Sequence, residues 1–221
     1  MKKILQIALL LITVVTFAQS SFEGKIVSQQ TMSSDNPEVQ AQLAYMGMMS
    51  TTQYVKGSNS RTELNSPMTG KMTSIYTAKT DEVLVLMDNP TAGKKYMKAS
   101  ASKLKEQAGE QKVDVTKGKE TKTILGYDCE QYFMTMVANG TKMEMELFVT
   151  DKIAMVITDQ NIAYANKIKG MPLLIKGKVN QMGMDINITN SVTEIIKESV
   201  SSDKFDTTIP DGFTNLETVK K

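Results

Sequence analysis

The sequence predicts a mainly β (α+β) protein: an antiparallel sheet carrying two or three short helices. Three observations carry this prediction. Segments rich in β-branched and apolar residues recur along the chain, with Gly, Asn, Asp and Pro between them. Asn139-Gly140 lies between two alternating runs, and this dipeptide favours the type I′ hairpin turn, in which both central residues need positive φ. Helix signals are brief by comparison.

The elements follow in order. Met1-Lys2-Lys3 precedes an apolar run from Ile4 to Phe17, and Thr16-Phe17-Ala18 supplies a small residue at a cleavage position. This is the pattern of a secretory signal, so residues 1–18 are expected to be removed and the protein exported, to the periplasm or beyond. The run is short of the ~20 apolar residues that a spanning helix needs, so no membrane span is expected after cleavage. Phe22 to Met32 reads as a first strand. Asp35 or Asn36 then caps a helix that starts at Pro37 and runs to about Met49, with Val39, Leu43, Met46 and Met49 on one stripe. Strands are predicted at 51–56, 61–64, 72–78, 83–88 and 95–98, with a second short helix over Ala101–Ala108. Gln160–Lys169 reads equally as a short helix or a loop, stopped by Gly170 and Pro172.

If Asn139 and Gly140 form the turn, the register of their hairpin follows. Met136 then opposes Met143, Met134 opposes Met145, and Tyr132 opposes Leu147, all on one face because side chains alternate. Val137, Thr135 and Phe133 face Lys142, Glu144 and Glu146 on the other. A second hairpin is predicted with a four-residue loop, Asn180 to Gly183. That loop would pair Val179 with Met184, Gly177 with Ile186 and Ile175 with Ile188.

Residues 19–221 are expected to form a single domain, long enough for a substantial core. One cysteine cannot form an internal disulfide, and Cys129 lies in the alternation Leu125, Tyr127, Cys129, which predicts a buried, inert thiol. With no cysteine at the cleavage site, no lipid anchor is expected. The chain has no histidine, which removes Ser-His and Cys-His catalysis and the usual zinc and copper(II) sites. No phosphate-binding glycine loop is present either. No enzymatic activity, cofactor or metal site is therefore expected. The net charge of +2 disappears once Lys2 and Lys3 leave with the signal, so nothing global points to nucleic acid. Lys94 to Lys122 does hold nine lysines, read here as a solvated face rather than an anionic docking site.

Several short motifs, in order, carry a resemblance. They are Phe22-Glu23-Gly24-Lys25-Ile26, Tyr54-Val55-Lys56-Gly57 with Arg61-Thr62-Glu63, and Thr123 to Glu130. Gly170-Met171-Pro172-Leu173 and the closing Phe205 with Ile209 to Phe213 complete the set. Together they resemble a family of exported Gram-negative proteins of unknown function, the DUF4412 type. That family is in turn similar in fold to the LolA/LolB periplasmic lipoprotein carriers. The resemblance implies a curved sheet, an incomplete β-barrel, wrapped around short helices. It also implies a lipid or lipoprotein acyl chain as the partner. It assigns no individual residue.

Seventeen methionines, with Met-x-Met at 46/48, 134/136, 143/145 and 182/184, admit three readings. They can be ordinary core of a structural or protein-interaction module, since methionine fills irregular gaps. They can line an adaptable groove for a hydrophobic or lipidic ligand on a concave apolar sheet face. They can bind copper(I), which thioethers favour. The candidate ligand-binding residues are Tyr132, Met134, Met136, Met143, Met145, Leu147 and Met184. Glu144 and Glu146 are read as solvated cross-strand partners rather than catalytic carboxylates.

Overall fold

A computed structural model describes residues 22–66, 70–107, 112–138, 141–155, 167–181 and 184–216. The expected signal segment 1–18, the predicted turn at Asn139-Gly140 and most of 160–169 lie outside the described residues. Twelve strands form one open sheet: β1 Glu23–Ser33, β2 Met49–Lys56, β3 Asn59–Ser66, β4 Gly70–Thr77, β5 Glu82–Asn89, β6 Gly93–Ser100, β7 Lys112–Ile124, β8 Tyr127–Ala138, β9 Thr141–Thr150, β10 Met171–Gln181, β11 Met184–Lys197 and β12 Thr214–Asn215. Their order across the sheet is β12-β6-β5-β4-β3-β2-β1-β11-β10-β9-β8-β7. All pairings are antiparallel except the short β12–β6 contact. The protein is mainly β, as expected.

Among the described residues two helices accompany the sheet. α1 (Pro37–Met46) is capped by Asn36, whose Oδ1 accepts from the Glu38 and Val39 amides, and Pro37 opens its first turn. It ends three residues earlier than expected, because Met49 already pairs with Gln30 in the β1–β2 ladder. Among its described side chains Val39 and Leu43, one turn apart, are buried. α2 (Ala101–Gln107) is anchored by Asp81, whose backbone and side-chain oxygens accept from Ala101 and Ser102. A 3-10 turn follows at Ser202–Phe205.

The sheet is curled, and the connection between β6 and β7 shows why. These strands lie ten steps apart, roughly 48 Å if the sheet were flat. Only the seven residues of α2 and the stretch to Lys112 join them, a reach of about 28 Å at most. The two edges must therefore approach each other. α2 packs with Ala101 and Leu104 against Val83, Val85, Met72 and Met97, so it lies on that face, which is the inner one. Cross-strand partners carry the same face to Thr62, Gln53, Ser28, Ile188, Met145 and Met134.

The outer face of β2–β6 is covered by the chain at 198–213. Val200, Phe205 and Ile209 pack on Ile75, Leu84, Tyr54, Leu86 and Tyr96. Polar contacts hold this strap along its length: Lys56 donates to Val200 O, Arg61 to Lys204 O, Thr77 to Phe205 O and Lys98 to Thr207 O.

Two expectations are corrected. The loop of the β10–β11 hairpin has two residues rather than four. Gln181 pairs with Met184 and Val179 with Ile186, a slip of two that keeps the same face inward. Leu125 does not share an alternation with Cys129. It stands with Gly126 in a tight turn, at φ 50°, and is 48% exposed, whereas Cys129 is fully buried as expected.

Candidate functional site

The methionine hairpin has the predicted register. Met136 opposes Met143, Met134 opposes Met145 and Tyr132 opposes Leu147. On one flank β7 adds Val113 and Val115, opposite Met136 and Met134. On the other, β10 adds Val179, Gly177 and Ile175, opposite Met143, Met145 and Leu147. Met145 comes close because residue 177 has no side chain: a Cβ there would lie 3.2 Å from Met145 Cγ.

Burial divides the seven candidate residues into two groups. Met134 and Leu147 are each 1% exposed and belong to a packed cluster with Val113, Val149 and Ile168. Tyr132, Met136, Met143, Met145 and Met184 are half-buried. Tyr132, Met136 and Met145 lie on the margin of that cluster with Val115, Met155 and Ile175. Met184 sits further round the inner face, at the start of β11, paired with Gln181. The Lys167 ammonium donates to Val113 O on β7, which holds the returning chain over this end of the sheet. Lys117 and Glu130 form a 2.8 Å ion pair at the border of the patch, and that hydrogen bond raises the Lys117 pKa.

The inner face is not uniformly apolar. Between the methionine end and the α2 end it carries Ser28, Thr51, Gln53, Thr62 and Ser74, all neutral. The Thr62 hydroxyl is buried with no hydrogen-bond partner. Nothing in the sequence flagged this polar centre, because hydroxyl residues are also ordinary strand formers.

Cys129 is buried, and burial together with the neighbouring Asp128 charge pushes its thiol upward, away from a reactive thiolate. Among the described residues no cluster of three or more His, Cys, Asp or Glu could hold a metal ion, and no helix is long and apolar enough to cross a membrane.

Comparison with known proteins adds a family. The family model described as a domain of unknown function, DUF4412, matches residues 23–207. The chain belongs to the DUF4412 family. In this DUF4412 chain the match runs from the first residue of β1 to Thr207 in the strap, so it takes in both faces described above. A search of curated proteins returns no match. Among solved structures the chain is similar to PNGF-II in a C2 space group, at 12% identity and a TM-score of 0.45. That match covers 87% of this chain and 31% of the other, so the chain spans less than a third of that protein's length.

Proposed function

We propose that this protein is a non-enzymatic, exported envelope protein that holds one acyl chain of a lipid or lipoprotein on its inner sheet face. The observation that carries the reading is the half-buried patch of Met136, Met143 and Met145 beside Val115 and Ile175, inside a sheet whose edges curl toward each other. Unbranched thioether side chains repack at small cost around a flexible chain. LolA-like carriage, in which a curved sheet shields an acyl chain from water, fits this arrangement. Export rests on the leader-like residues 1–18.

At Met134 and Leu147 the observations favour the second reading, ordinary core. Both are sealed, so the ligand surface is limited to the half-buried neighbours.

Titration of the delipidated mature protein with a fluorescent polyene fatty acid tests the proposal. Saturable binding is expected, weakened about tenfold or more when Met136 and Met143 are both replaced by Gln, since each change places an amide in an apolar contact. No saturable binding, or binding untouched by the double variant, would return these methionines to a purely structural role.

A further inference from the structure

The outer face of β8–β11, which the strap does not cover, contains a groove of about 620 Å³. Two cross-strand ladders wall it. One runs Thr135, Glu144, Lys178, Asn187, each residue opposite the next on adjacent strands. The other runs Phe133, Glu146, Lys176, Thr189 in the same way. The trough between them crosses four strands, roughly 14 Å, and its floor is formed by the inward-pointing residues, Met134 to Ile188.

Two features set this trough apart from an ordinary solvated sheet face. Phe133 stands 47% exposed at one end, presenting an aromatic ring to the groove. Glu146 is held from beneath. Gln131, 5% exposed, donates to its carboxylate at 2.6 Å, and Lys176 lies 3.6 Å away. Gln131 is itself fixed, because its Oε1 accepts from the Lys119 and Glu120 amides in the bulge of β7, at 3.2 Å each. Gly118 makes room for this: a Cβ there would lie 2.2 Å from the same oxygen. A buried amide thus orients a carboxylate that lines the groove.

The chemistry of the walls selects the ligand. Glu144 and Glu146 balance Lys176 and Lys178, so the trough offers an ion of either sign no net attraction. An apolar ligand would desolvate those charges without replacing their hydrogen bonds. A polyhydroxylated molecule meets both needs, since each hydroxyl donates to a carboxylate and accepts from an ammonium or amide. The apolar face of a sugar ring also matches Phe133. We propose that the outer groove is a binding site for a short neutral oligosaccharide, with Phe133 as the stacking platform and Glu146, Lys176 and Asn187 as hydrogen-bonding partners.

Calorimetric titration of the mature protein with neutral gluco-, manno-, xylo- and N-acetylglucosamine oligosaccharides tests the assignment. At least one series is expected to bind saturably in the micromolar to millimolar range. Phe133→Ala should weaken it about tenfold or more, and Glu146→Gln and Asn187→Ala by smaller factors. The paired Met136 and Met143 variant should leave it unchanged, which separates this site from the inner face. Silence of the whole panel at millimolar concentration would overturn the proposal. So would binding that survives both Phe133→Ala and Asn187→Ala in variants that retain the wild-type circular dichroism.

Discussion

Gly118 and Gln131 show how one absent side chain organises its surroundings. Gly118→Ala would drive a methyl group into Gln131 and displace the amide that closes the β7 bulge and braces Glu146. A loss of about 1–3 kcal/mol of stability is expected in urea denaturation; an unchanged midpoint would show that Gln131 relocates without strain. Met134→Ala removes a side chain that is 1% exposed and should cost about 2–5 kcal/mol, clearly more than Met136→Ala at its half-buried neighbour. Equal costs would contradict the division between sealed core and open margin. At this scale the sequence was informative where a turn dictated geometry. Asn139-Gly140 predicted the register seen between β8 and β9, because few other dipeptides favour a type I′ turn. Leu125 gave no such signal, since a leucine at φ 50° is held there by the surrounding hairpin and is uncommon in that region.

Among the elements, the strap has a built-in pH response. Glu23 accepts from the Val200 amide, and that bond, helped by Lys56, lowers its pKa. Hydrogen bonds from Lys98 and then Thr207 lower that of Glu82. Burial alone would raise Glu63, but its hydrogen bond to Arg61, with the charges of Arg61, Lys71 and Lys204, outweighs burial and lowers it. A lowered folded-state pKa gives stability that is full above the ordinary glutamate value of 4.5 and is lost as pH falls through the folded value. Hydrogen exchange read by mass spectrometry, corrected for intrinsic rates, should therefore show the 199–207 amides losing protection as pH falls below the ordinary value of 4.5. The β8–β9 hairpin should open later. Strap protection that persists unchanged into that acid range would contradict the role given to these carboxylates. Most strands and both helices were legible from turn residues and alternation. β7 was not, because its lysines mask the inward Val113 and Val115 and its bulge breaks the alternation after Lys117.

For the whole molecule, the decisive relations are pairings between distant segments. β1 lies against β11, and β12 joins β6 across more than a hundred residues. No local pattern encodes these contacts, so strand order became visible only in the structure, while the curved sheet was expected from the family resemblance rather than from any local signal. The expected concave apolar face was half legible in the same way. Met-x-Met spacing marked one apolar end, while the neutral centre at Ser28, Gln53 and Thr62 emerged only when three strands were aligned. The curl gives the inner face its shelter, and the acyl-chain reading depends on that shelter. Native mass spectrometry of the mature protein, purified from its own envelope without detergent, tests that reading most directly. An added mass that extracts into organic solvent as an acylated molecule is the predicted result; a bare protein at its sequence mass, unaltered by added lipid, would contradict it.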